Sequence, residues 1–192
     1  MSQAFEDAFH ETMLFEVGEH WDPTDPEVIA GLCGTRAQRR KVGYVNIPQD
    51  RGGETKYGVA KRANPDIDVY ALDLEGAMAV YFRRYWLAGK CDQLNFPISM
   101  MHFDGCVNHG IGRANKFLQR AVRVTEDGVI GPVTIAAVNN SAPLDIIKNL
   151  SETRTNFYHA IINRDKSQKI FLNGWMRRID TVTEFALDAL DV

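Results

Sequence analysis

Gln3-Ala-Phe5-Glu-Asp-Ala8-Phe9-His-Glu-Thr12-Met13-Leu-Phe15-Glu16-Val17-Gly18 reads as an amphipathic helix over residues 3–17 that Gly18 ends. Phe5, Ala8, Phe9, Thr12 and Met13 recur at helical spacing and form one stripe. The same stripe runs on to residue 16, which is glutamate. Glu16 falls about 20° from Phe5 around the axis. A carboxyl group thus stands where the period calls for an apolar side chain. It either turns to solvent, pairs with a basic residue, or sits beside apolar neighbours for a chemical purpose. Apolar surroundings favour the neutral form of a carboxyl group, and a protonated glutamic acid is what glycosidic cleavage requires, because the departing sugar oxygen needs a proton.

Outward from this helix, residues 19–42 carry turn and cap signals. Thr24 or Asp25 can cap a short helix with Pro26 in its first turn. A basic run, Arg36, Arg39, Arg40 and Lys41, follows; it is either a solvated face or a contact for an acidic polymer. Residues 43–58 form a turn-rich loop, Gly43-Tyr-Val-Asn-Ile-Pro-Gln-Asp50-Arg-Gly52-Gly53-Glu54-Thr55-Lys-Tyr57-Gly58, too long for a mere connector. From residue 73 helical spacing dominates. Asp73 caps a helix with Leu74, Ala77, Met78, Tyr81, Phe82 and Tyr85 on one face. Pro97, Pro132 and Pro143 open further helices. Residues 112–122 make another, and the last carries Leu172, Trp175, Ile179, Val182, Ala186 and Leu190. The long helix after Pro143 turns Ile146, Ile147, Leu150, Phe157 and Ile161 inward. A short strand near Tyr44–Ile47 is the one strand expected. The class is mostly α, with little or no β-sheet.

The chain has 192 residues, 45% hydrophobic and 24% charged, which suits one folded domain and not a disordered or coiled-coil chain. Its net charge is −3, from 22 basic and 25 acidic side chains, which argues against a general grip on nucleic acid. Cys33, Cys91 and Cys106 are odd in number and widely spaced, and read as reduced thiols. The N-terminal residues lack the apolar run of a signal peptide, and no stretch approaches the roughly 20 apolar residues of a membrane span. A monomer is expected.

Other side chains can join Glu16. Asp50 and Glu54 are acidic groups in the glycine-rich loop, able to activate water or stabilise positive charge on a sugar. Thr55 can hold that water, and Tyr57 can bring a hydroxyl beside a sugar ring. The same residues also suit plain loop chemistry, with Asp50 in an Asx turn and Glu54 in solvent. His102, Cys106 and His109, with Asp104 between them, match no good zinc spacing, so neither a metal nor a cofactor is expected. Asp104, Asn108 and His109 either face a cleft or cap a helix end. Tyr85 is either core or a sugar-stacking wall.

Several segments, in order, resemble one family. Phe15-Glu16-Val17-Gly18, Gly43-Tyr44-Val45-Asn46 and Asp50-Arg51-Gly52-Gly53-Glu54-Thr55-Lys56-Tyr57-Gly58-Val59 are similar to the phage and prophage muramidases of glycoside hydrolase family 108. So are Phe103-Asp104 to Asn108-x-Gly110 and Ala114-x-x-Phe117-Leu118-Gln119. Asp127-Gly128-x-Ile130-Gly131-Pro132-x-Thr134 resembles the family's peptidoglycan-binding-like C-terminal region, and Phe157-Tyr158 and Phe171-Leu-x-Gly174-Trp175-x-x-Arg178 complete the likeness. The resemblance implies a lysozyme-like helical fold of the α-lobe type with a glycine-rich active-site loop. It implies a single catalytic domain over 1–192: a catalytic part over about 1–110, interrupted by an insertion at 17–42, and a peptidoglycan-binding-like part over about 111–192 packed on it. It implies an endolysin that cuts peptidoglycan glycan strands for host lysis, made in the host cytoplasm and acting in the periplasm, with Glu16 as catalytic glutamate and Asp50 and Thr55 as its partners. The chain departs from the pattern where the segment after Glu16 sets Asp50 34 positions further on. Lytic transglycosylases and glucosaminidases of the wider superfamily work with one glutamate assisted by tyrosines. Tyr57-Gly58 and Val107-Asn108-His109-Gly110 look like looser versions of their segments. A wall-binding module without catalysis is the remaining alternative.

Overall fold

The computed structural model describes residues 1–47 and 53–190. The order of elements is α1 (Gln3–Glu16), α2 (Pro26–Ile29), α3 (Arg36–Lys41), β1 (Thr55–Lys56), β2 (Val59–Ala60), α4 (Leu74–Tyr81), α5 (Ile98–His109), α6 (Ile111–Ala121), α7 (Pro132–Asn140), α8 (Pro143–Arg164) and α9 (Leu172–Asp188). A π-helical turn, Phe82–Leu87, continues α4. The fold is mostly α, as the spacing predicts. The chain forms two compact units: one of Met1 and Phe9–Arg83, the other of Ser2–Ala8 and Arg84–Val192.

The first unit is built on the second half of α1. Phe9 and Met13 are fully buried there, and Phe9 meets Tyr81 edge-on at 5.3 Å and Trp21 at 6.1 Å. Gly18, at φ +94°, ends the helix as its position predicts. Asp25 is the cap of α2, with its side chain accepting from the Glu27 N–H and Pro26 in the first turn. The expected strand near Tyr44–Ile47 shrinks to one bridge, Val45 to Thr55, at the edge of a two-residue hairpin pairing Thr55 with Ala60 and Lys56 with Val59. Gly31 is obligatory for this packing: at φ +64°, a Cβ there would collide with the Leu72 carbonyl oxygen.

In the second unit, α5 is buried nearly all round: every residue from Ile98 to Cys106 is buried, the polar Ser99, His102 and Asp104 included. It packs with α6, α8 and α9. Phe5, at the start of α1, stands edge-on to Trp86 and Phe103. Two sequence stripes shift. The face expected to run from Tyr81 through Phe82 and Tyr85 buries Trp86 instead, because the wider π turn changes the angle per residue. On α8 the buried row is Ile146, Leu150, Arg154, Tyr158 and Ile162, one i,i+4 ridge, whereas Phe157 and Ile161 are half-buried.

Candidate active site

The last turn of α1 delivers Glu16 to the hairpin turn. Glu16 is half-buried. The turn residue Gly58 has φ +72°, and a Cβ placed there would lie 3.2 Å from the Glu16 carboxyl Oε2 and closer still to the Tyr81 hydroxyl. Only glycine lets the backbone come so close to both groups. Chain segments about 40 residues apart are thereby joined: the acid that breaks the helical period, and the loop rich in glycine. Beyond Glu16 the chain lines a cavity of about 650 Å³, which Val17, Gly18, Gly43, Tyr44 and Val45 share with three arginines. Gly43 faces the Glu16 carbonyl oxygen, with 3.6 Å between it and an added Cβ.

The expected partners of Glu16 fare differently. Asp50 lies outside the described residues. Thr55 is half-buried; its hydroxyl donates to the Gly53 carbonyl at 3.2 Å, and its backbone pairs with Val45 in both directions. Glu54 accepts a hydrogen bond from the Tyr44 hydroxyl at 2.8 Å. Burial, together with that carboxylate, raises the Tyr44 pKa. Tyr57, expected beside a sugar ring, is instead fully buried, and its hydroxyl donates to the Val28 carbonyl. Burial pushes its pKa up. Its location in the interior suits holding α2 against the hairpin. The hydroxyl that does reach the Glu16 corner is that of Tyr81, which donates to the Tyr57 carbonyl at 3.0 Å. Helical spacing puts Tyr81 on a core face; the available signal is that a buried tyrosine must direct its hydroxyl to a polar partner.

Tyr85, Asp104, Asn108 and His109 belong to the second unit. Tyr85 is half-buried in the π turn. Asp104, 1% exposed, accepts from Arg154 Nη2 at 2.6 Å and from Arg178 Nε at 2.8 Å. Burial alone would raise its pKa, but the two guanidinium groups bring it below the ordinary carboxylate range. Arg154 Nε also donates to His109 Nε2 at 3.2 Å. Burial, then the Arg154 charge, lowers the His109 pKa to about 3. Asn108 donates to the Tyr158 hydroxyl at 3.0 Å. Tyr158 in turn stacks on Trp175 at 4.4 Å. Arg154 escapes the sequence reading, although its signal is the one Glu16 gives: a charge within an apolar i,i+4 row.

The residues weighed as metal ligands separate. Asp104 and His109 join the arginines, while His102 and Cys106 meet Cys91. Among the described residues, Cys91, His102 and Cys106 are the ligand-type group whose donor atoms lie within 4.8 Å of one another, and all three are buried. His102 Nε2 is 3.0 Å from the Gly89 carbonyl oxygen and 3.6 Å from Cys106 Sγ. The Cys91 thiol, and then the imidazole of His102, pull the Cys106 pKa down.

The family model described as "Glycosyl hydrolase 108" matches residues 37–110, and the one described as "Predicted Peptidoglycan domain" matches residues 113–180. Glu16 precedes both matches. Among solved structures, the chain is similar to SagA of Brucella abortus: 31% identical, over 76% of this chain and 86% of that chain, with a TM-score of 0.63. No curated protein matches. Among the described residues no helix is long and apolar enough to cross a membrane. The fold is mostly α and lysozyme-like, and the chemistry is glycoside hydrolysis on peptidoglycan. With two models matched in succession and a relative alike over most of both chains, this chain belongs to the glycosyl hydrolase 108 family.

Proposed function

We propose that the chain is a phage-type endolysin with N-acetylmuramidase activity. Glu16 is the general acid. The observation that supports this reading is the convergence at Gly58: a half-buried carboxyl group, a tyrosine hydroxyl and a glycine-rich hairpin meet beside an open cavity. Glu16 passes its proton to the bridging oxygen as the bond from that oxygen to the anomeric carbon breaks. The leaving sugar departs as an alcohol, and positive charge grows on the ring left behind. Water, activated by the ionised carboxylate or by Asp50 and Thr55, adds at the anomeric carbon and returns a proton to the enzyme. Residues 1–110 carry catalysis, and residues 111–192 engage the wall. The protein is made in the host cytoplasm, reaches the periplasm at lysis and acts as a monomer.

General acid catalysis contributes about 10² to 10⁴ in rate. Glu16→Gln therefore slows the clearing of purified walls by that factor while leaving the thermal midpoint unchanged. A variant that clears walls at the normal rate overturns the assignment. One observation favours a second reading, a lytic transglycosylase: the Tyr81 hydroxyl beside Glu16 resembles a lone glutamate assisted by tyrosine. Mass spectrometry of the products decides. Muramic acid at the new reducing ends supports the muramidase, anhydro-muramyl ends the transglycosylase, and glucosamine at the reducing ends a glucosaminidase. A binding module without catalysis would pellet with walls and release no fragments.

A further inference from the structure

The basic run that follows the first turns is divided by the fold into one structural cation and three that share a cavity. Lys41 donates to Asp25 and Glu27, at 2.7 Å each, and so clamps α3 to α2. Gln38 adds a hydrogen bond to Glu27 at 3.0 Å and closes a capping box with Thr35. On the frame so fixed, Arg36, Arg39 and Arg40 line the cavity of about 650 Å³ that begins at Val17, next to Glu16. Arg39 is held in place: Nε donates to the Cys33 carbonyl at 3.0 Å, and its guanidinium lies 5.9 Å from the Tyr44 ring centre. Arg36 and Arg40 are exposed and have no ion pair among the described residues. Among the described residues the one acid on the lining, Glu19, is near His20 at 3.7 Å. A chain of net charge −3 thus concentrates three fixed positive charges in one concave site beside its acid.

We infer that this cavity binds the carboxylates of the peptide stems carried by the glycan, with Arg36 and Arg40 as the contacting groups and Arg39 as their positioned neighbour. The inference rests on the glycan-cleaving reading of Glu16. A guanidinium is a planar fork of N–H donors that matches a carboxylate two bonds at a time. A concave site of one sign raises the local concentration of the opposite charge. The sugar rings of the strand carry no comparable anions when the lactyl groups are amide-linked to peptide, so the stem carboxylates are the chemistry that three arginines recognise.

Purified walls, untreated or with their carboxyl groups amidated by carbodiimide and ammonia, make the test. Initial clearing rates are measured at low wall concentration. Amidation slows the native protein about tenfold. R36Q/R40Q is slowed on untreated walls by a similar factor and becomes indifferent to amidation. R83Q/K90Q, which removes two exposed cations that do not line this cavity, keeps the native sensitivity. For the native protein, the preference for untreated walls shrinks as salt rises from low to about 0.3 M, because exposed charges are screened. The inference is overturned if amidation leaves the native rate unchanged, if R36Q/R40Q keeps its sensitivity, or if R83Q/K90Q loses it equally. Failure of the Glu16 reading is seen separately, as an active Glu16→Gln variant.

Discussion

Two carboxyl groups interrupt apolar surroundings in this protein, and the structure treats them in opposite ways. Asp104 is sealed in the second unit between Arg154 and Arg178, with the His109 imidazole held neutral beside them. Glu16 stands half-buried at a helix end, against a glycine and a tyrosine hydroxyl, where a cavity begins. A carboxylate locked by two guanidinium groups is fixed as an anion and has no proton to give. A carboxyl group at the rim of a cavity can meet a substrate oxygen. Depth of burial is therefore a poor guide to chemistry; the identity of the neighbours decides it.

The contrast is sharpest in mutation. Asp104→Asn leaves two buried guanidinium groups without their counter-charge and lowers stability by about 3–5 kcal/mol. Chemical denaturation measures this, and the same experiment on Glu16→Gln should show almost no change. If Asp104→Asn proves as stable as the native protein, the triad is not the strut described above.

Acid is the next probe. The His109 pKa is about 3 in the fold, against 6.5 as its ordinary value. Above pH 6.5 the ring is neutral in both states and its contribution to stability is complete. As the pH falls from 6.5 toward 3, the unfolded chain takes up a proton that the folded chain refuses. Stability then declines by at most about 1.4 kcal/mol per pH unit. Asp104, held below the ordinary carboxylate range, adds its own loss further down. His109→Gln, which can still accept from Arg154, should flatten the slope of denaturation midpoint against pH between about 7 and 4.

Gly58→Ala tests the other region. The new Cβ requires a left-handed backbone, which costs about 1–2 kcal/mol, and meets the Tyr81 hydroxyl. The thermal midpoint drops modestly, but wall clearing falls far more than stability does, because the Glu16 corner is displaced. A fully active Gly58→Ala variant would detach the hairpin turn from the site.

Much of this is legible in the residues. The helices α2, α4, α5, α7 and α8 start at the proline or aspartate that announces them, because a cap or a proline acts locally on two or three neighbours. Glu16 can be singled out because it violates a period, and a period is a property of the sequence. Arg154 violates one too, but it lies in a row that Phe157 and Ile161 do not share, and the apolar spacing of those two hides it. The role of Tyr57 is not legible, because a hydroxyl's partner lies elsewhere in the chain: Val28, 29 positions away, takes it into the core.

The sequence by itself determined the helical class, the helix ends and the anomalous acid, since these follow from local sterics, capping and the spacing of apolar side chains. Only the tertiary structure decided that Glu16 and Tyr81 both come to Gly58, that Lys41 clamps while Arg36 and Arg40 line a cavity, and that Asp104 is neutralised by residues 50 and 74 positions away. Coulomb attraction and desolvation depend on distance through space, and distance through space is set by packing.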